Sequence, residues 1–290
     1  MIRIVTDGAA DMPSDWAEAY DIQILTQGVY FQEKGIVEEL DFSKCNFYEE
    51  VRDRKEVPKT AYQSPENVVD FYREIAHRGD TIISIHLASS LSGTYSAFQA
   101  AGNLVAGEFN VIAIDSGAGS AALGFMCREV RLLERAGATV QQIIDRMKEV
   151  SEQVAIAMTL DTLEFARYSG RVNAFQNAVA SLLQVKPIII LQEGMLIMSE
   201  QVRTRKRSLD RVLDIITAHI GDKLFNFAIV HANDIDCGQV LLERVKSLFN
   251  CHEVIITELA IPVAAHLGPG TVGIVAYPVS SDLIAEDLAL

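Results

Sequence analysis

"TIISIHLASSLSGTYSAFQAA", residues 81–101, decides the fold. Its first seven residues are apolar and β-branched enough to read as a strand. A cluster of hydroxyls follows, Ser89, Ser90, Ser92 and Thr94, with Gly93 among them. A helical run then occupies 95–106. Strand, tight turn and helix together open a βαβ unit.

The same alternation recurs outward in both directions. Strands are predicted at 2–5, 109–115, 153–160, 186–191, 225–231 and 253–259. Helices are predicted at 119–136, 139–150, 161–168, 173–184, 206–220 and 236–249. Strands joined by helices of this length imply right-handed crossovers and a mostly parallel sheet. Nearer the N-terminus, 13–20 reads as helix and "IQILTQGVYF" (22–31) as extended chain. Ser43 can cap a helix over 46–54. Ser64, Pro65 and Glu66 supply a cap, a first-turn proline and a first-turn acid. After residue 150 the pattern loosens, and "PIIILQEGMLIMSEQV" (187–202) reads as two strands around a glycine turn. The expectation is an α/β protein of two domains. Residues 1–150 form a mostly parallel three-layer α/β domain, and 151–290 a second α/β domain with a mixed sheet.

Composition narrows the function. A net charge of −14 argues against nucleic acid or an anionic membrane as the main partner. The densest basic cluster, "VRTRKRS" (202–208), is short and lies within an acidic chain. Cys45, Cys127, Cys237 and Cys251 are scattered without zinc-ligand spacing. "MIRIVTDGAADMP" is not a signal peptide, and no stretch approaches the roughly 18 apolar residues of a membrane span. A reduced, cytoplasmic protein without stable membrane insertion is expected.

Motifs exclude more chemistry than they assign. There is no Walker loop, no G-x-S-x-G elbow and no H-E-x-x-H. "GAGSAA" (117–122) approaches a dinucleotide fingerprint, but a helix stands where its second strand should be. What remains is hydroxyls at helix starts. In an open α/β sheet ligands gather beyond the carboxyl ends of the strands. The loops there are "TDGAAD" (6–11), "PKTAYQSPE" (58–66), "ASSLSGT" (88–94) and "DSGAGS" (115–120). Helix N-termini favour anions, and Gly93 permits close approach of a ligand. Ser92 and Thr94 read equally as caps or as one side of an anion site with Thr60. Arg171 in "YSGRVN" and His266 in "HLGPG" can complete such a site. Val172, Phe175, Val179, Leu182 and Leu183 share one face if 172–183 is helical, as core or as lining for an apolar ligand.

These motifs, in order and spacing, resemble the DegV family of bacterial fatty-acid-binding proteins over essentially the whole chain. "TDGAADMP" is similar to the family's T-D-S element and "PKTAYQSPE" to its T-S-Q-P-S. "SSLSGT" is intact. "DSGAGS", "SGRV", "LLQVKPII" with Gly194, "VRTRKRS" and "HLGPG" match further elements. The resemblance implies a fatty acid held between two domains, with no metal and no cofactor. Its carboxylate would meet Thr60, Ala61, Ser92, Gly93, Arg171 and His266, with Ser90 and Thr94 supporting the turn. Its acyl chain would enter a C-terminal tunnel, for which the five apolar residues of 172–183 are candidates. A separate ATP-dependent kinase subunit would then form the acyl-phosphate for phospholipid synthesis, the protein itself being non-catalytic. Ala61, Tyr62, Gly8 and Ser169 depart from the family pattern. Two other readings are a hydrolase using Ser92 with His266 as base, and a site for a small polar ligand.

Overall fold

In the first strand, Ile4 and Val5 point to opposite faces and both are fully buried, so helices must cover both sides. The computed structural model, which describes residues 1–33, 36–39, 41, 46–173 and 185–280, has this arrangement. The first half runs β1 (Ile2–Asp7), α1 (Trp16–Ala19), β2 (Ile22–Leu25), β3 (Gly28–Glu33), β4 (Ile36–Glu39), α2 (Phe47–Arg54) and β5 (Lys59–Ala61). It continues with α3 (Pro65–Ile75), β6 (Thr81–His86), α4 (Thr94–Leu104), β7 (Asn110–Asp115), α5 (Ala121–Arg135) and α6 (Val140–Gln153). The second half runs β8 (Ala155–Thr159), α7 (Glu164–Ser169), β9 (Val172–Asn173), β10 (Lys186–Gln192), β11 (Met195–Val202) and α8 (Arg205–Ile220). It ends with β12 (Phe225–His231), α9 (Ile235–Leu248), β13 (Cys251–Glu258), α10 (Ile261–Leu267) and β14 (Val272–Pro278).

The strands make three sheets. A parallel four-stranded sheet has the order β2-β1-β6-β7. A seven-stranded sheet has the order β13-β12-β14-β8-β10-β11-β9. It is antiparallel except where β12 meets β13 and β11 meets β9, the mixed sheet expected for this half. A small antiparallel sheet, β4-β3-β5, accompanies them.

Helices α3 and α4 cover one face of the parallel sheet through Val68, Tyr72, Phe98 and Ala101. Helix α5 packs on its other face and also on β14, so residues 121–131 are buried without a break. The charges within this run are buried as ion pairs, Arg128 with Glu253, Glu129 with Arg146 and Arg131 with Asp21. Alternation along the strands assigns the two faces of the large sheet. Ala228 and Val230 turn to the α5 side, Phe227 and Ile229 to α8 and α9. The layers therefore run helices, sheet, helices, sheet, helices. Residue 150, the expected domain boundary, lies near the end of α6, in the helical layer between the sheets.

Some local expectations hold and others do not. Ser64 caps α3 by accepting from the Asn67 N–H at 3.3 Å. The hairpin of β10 and β11 turns at Gly194, with φ +74°. Residues 22–31 are not one extended piece: Thr26 and Gln27 redirect the chain from β2 into β3, in a different sheet. Asn46, not Ser43, caps α2, by accepting from the Tyr48 N–H, and Ser43 lies outside the described residues. Val172 does not begin a helix. It pairs in β9 with Leu196 and is buried. Phe175, Val179, Leu182 and Leu183 lie outside the described residues.

Candidate functional site

In the parallel sheet the chain moves from β1 to one side and then returns to β6 on the other. The loops after β1 and β6 part at that reversal and leave a crevice. Within it is a cavity of about 130 Å³. A water's share of liquid volume is about 30 Å³, so this space suits a head group rather than a whole lipid.

Four separated segments bring polar groups to it. Strand β5 pairs with β3 and presents Thr60 opposite Val29. The loop after β6 brings Ser92 and Gly93. Arg171 follows α7, whose end is set by Gly170 at φ +67°. His266 stands in the last turn of α10, which packs on β3 and β5. All five residues line the cavity, along with Gln27, Tyr62 and the apolar Leu196 and Val263. Thr60 Oγ1 and His266 Nε2 are 2.9 Å apart across 206 residues of sequence. Ala61, the other residue expected from this strand, is an exception. Side chains alternate along a strand, and Ala61 is exposed and does not line the cavity.

Burial, and then the Arg171 guanidinium, push the His266 pKa down to about 4. The ring is therefore neutral at pH 7. Arg171 remains as the positive group at the mouth, its Nη1 donating to the Ser169 carbonyl at 2.5 Å. The Ser169 hydroxyl accepts the Arg171 N–H at 3.3 Å, so a serine here braces the arginine's backbone.

The hydroxyls of the 89–94 turn divide their work. Ser90 donates to the Gly194 carbonyl at 2.5 Å, tying the loop to the β10–β11 turn. Ser92 Oγ accepts the Thr94 N–H at 3.2 Å and lies 2.8 Å from Thr94 Oγ1. Thr94 is buried and does not reach the cavity. Gly93 allows the Tyr62 ring to lie close, since a β-carbon there would stand 3.3 Å from it.

A second group of polar residues lies behind the wall. Asp7 is fully buried, and its Oδ2 is 3.1 Å from His86 Nδ1. His86 Nε2 is 2.6 Å from Ser84 Oγ, which is 3.0 Å from the Tyr72 hydroxyl. The order is that of an acyl-transfer triad, but Ser84 is fully buried and no substrate reaches it. Burial alone would raise the Asp7 pKa, yet His86 and the Leu87 and Ala9 N–H groups hold it below the usual carboxylate value. Among the described residues Ser92 has no histidine partner and Ser84, which has one, is closed off, so neither serine is both activated and accessible.

The family model described as "Uncharacterised protein, DegV family" matches residues 1–279. The chain belongs to the DegV family. A DegV domain-containing protein of Halalkalibacterium halodurans is 31% identical over 95% of this chain and 98% of its own. The solved structure of a Thermus thermophilus DegV family protein, described as fatty acid binding, superposes with a TM-score of 0.84 at 26% identity, covering 96% of this chain and 99% of its own. That of DegV, a fatty acid binding protein from Bacillus subtilis, gives 0.81 at 27% identity, with the same coverage.

Against the DegV pattern, Gly8 has a structural counterpart. A β-carbon at Gly8 would come within 2.7 Å of Gln27 Oε1, so the missing side chain makes room for Gln27. Gln27 and Tyr62 are wall residues that sequence reading did not assign. Tyr62 is visible as a departure from the pattern, whereas nothing in the sequence marks Gln27. No helix among the described residues is long and apolar enough to cross a membrane. No cluster of metal-ligating side chains occurs among them either.

Proposed function

We propose that this chain binds a long-chain fatty acid, its carboxylate in the cavity of Thr60, Ser92, Arg171 and His266. The single supporting observation is the convergence of these four side chains, from four distant segments, on one small space. The hydroxyls and the guanidinium offset the cost of burying a carboxylate, which without donors amounts to several kcal/mol. The wall includes apolar Leu196, whose β9 partner is buried Val172, and the acyl chain leaves the head-group space on that side. Each buried CH₂ contributes about 0.8 kcal/mol, so a C16 tail contributes on the order of 10 kcal/mol before ordering costs. The tail supplies affinity and the head site supplies orientation.

In this reading the protein is a non-catalytic carrier. It presents the carboxyl group to a separate ATP-dependent kinase subunit, which forms the acyl-phosphate. The fatty-acid-binding relatives from Thermus thermophilus and Bacillus subtilis support the lipid part. The protein purified from its host, denatured and extracted, is expected to release a long-chain acid detectable by mass spectrometry. Absence of any such acid, together with no binding of added palmitate or oleate, refutes the reading.

A further inference from the structure

Hydrogen-bond directions set at Asp7 extend into the cavity, and their consequence for a ligand rests on the fatty-acid reading. Asp7 Oδ1 accepts from the Ala9 N–H at 2.9 Å and from Gln27 Nε2 at 3.3 Å. Asp7 Oδ2 accepts from the Leu87 N–H at 3.0 Å and from His86 Nδ1 at 3.1 Å. The two backbone N–H groups can only donate, and His86 Nδ1 donates in the tautomer that faces an ionised carboxylate, which can only accept.

That fixes the Gln27 amide. Turned over, its oxygen would face Asp7 Oδ1, acceptor against acceptor. In the observed orientation Gln27 Oε1 is buried with no partner among the described residues, so the nitrogen's contacts alone hold it. The second hydrogen of Nε2 serves Thr94 Oγ1 at 3.4 Å. Thr94 is buried, and of the two partners of its Oγ1 among the described residues Gln27 Nε2 can only donate, so the Thr94 hydrogen goes to Ser92 Oγ, 2.8 Å away, rather than being left without an acceptor. Ser92 Oγ also accepts the Thr94 N–H. Both acceptor positions of Ser92 are then filled. Its own hydrogen has no acceptor among the described residues, and Ser92 borders the cavity.

We propose that Asp7, acting through Gln27 and Thr94, is a positioning residue that commits the Ser92 hydroxyl to donate into the cavity. The site thereby favours a head group that only accepts hydrogen bonds, a carboxylate, over one that must also donate. Gly8 belongs to the same device, because a side chain there would displace Gln27.

The test compares palmitate with palmitamide, which has nearly the same shape but no charge and a donating nitrogen. Both are titrated by competition against a fluorescent fatty acid. Two variants break the relay without touching Asp7: Gln27→Met removes the amide donor at similar length, and Thr94→Val removes the hydroxyl at similar volume. Asp7→Asn allows the amide to reverse, but it alters a fully buried group, so the first two carry the decision. Circular dichroism confirms that each variant is folded. In both Gln27→Met and Thr94→Val the palmitate-to-palmitamide affinity ratio is expected to fall about tenfold from wild type, the worth of one hydrogen bond to a charged group. A general loss of shape would weaken both ligands alike and leave the ratio unchanged. If wild type binds palmitate and both folded variants keep its ratio, the relay is wrong while the fatty-acid reading stands. If wild type binds neither ligand, the fatty-acid reading falls and this inference with it.

Discussion

Replacing Asp11 with Asn should make the protein more stable at pH 8 and flatten its pH dependence. Asp11 is buried where the loop after β1 meets the starts of α5 and α10. It accepts from the Ala260 N–H at 2.6 Å and from the Ser120 hydroxyl. Burial outweighs both bonds and raises its pKa from 3.8 to about 7. A carboxyl raised on folding holds its proton more tightly in the folded chain. Its contribution to stability is therefore full below about pH 4 and is lost as pH rises through 7. A shift of about three units, at 1.36 kcal/mol each, sets a ceiling of about 4 kcal/mol. About 2 to 3 kcal/mol of this falls between pH 5 and pH 8. Asparagine keeps an acceptor for Ala260 and a donor for Ser120, but does not titrate. Urea unfolding, followed through the chain's one tryptophan, Trp16, in its buried site, measures both proteins from pH 5 to 8. Other titrating groups are common to both, so the difference between the curves isolates Asp11. A difference that stays constant with pH would refute the assignment of a raised, buried carboxyl.

Three further outcomes are expected from the geometry. Thr60→Val removes the partner of His266 and a cavity hydroxyl. It should weaken palmitate binding about tenfold, or about 1.4 kcal/mol, in a fluorescence titration. Ser90→Ala cuts the tie to the Gly194 carbonyl. Hydrogen exchange at 194–196 should quicken about fivefold while global stability changes little. Gly273→Ala places a β-carbon 2.5 Å from Met158 Cβ and 2.9 Å from the Ala157 carbonyl, in the middle of the large sheet. A loss of about 2 to 3 kcal/mol in urea unfolding is expected, or failure to fold.

The parts of the fold legible in the sequence are those whose signals are local. The Ser64-Pro65-Glu66 start needs only its own turn. The hairpin over 187–202 needs only a glycine able to take φ +74° between apolar runs. The hydroxyl cluster at 89–94 announces a site because helix starts attract anions whatever their surroundings. Long-range pairing is not legible. Strand β5 has three residues, too few to show alternation, and only its pairing with β3 explains why Thr60 enters the cavity and Ala61 does not. Val172 fits a helical period and instead pairs in a strand, because β11 offers an open edge at Leu196. Gln27 carries no signal, since its role depends on Asp7, Gly8 and Thr94 together.

The loop "TDGAAD" carries this lesson into chemistry. Asp7 and Asp11 are four residues apart, both buried, and alike to any reading of composition or spacing. Their environments drive them in opposite directions. Asp7 meets four donors, two of them backbone N–H groups at the ends of β1 and β6, and stays ionised. Asp11 meets two, too few to offset its desolvation, and holds its proton to about pH 7. The first sets hydrogen-bond directions toward the cavity. The second clasps the start of α10, the helix that carries His266. Exchanging their protonation states would undo both, because a protonated Asp7 could itself donate and release the Gln27 amide. The donor count around each carboxylate, rather than the motif that contains it, therefore decides what the loop does.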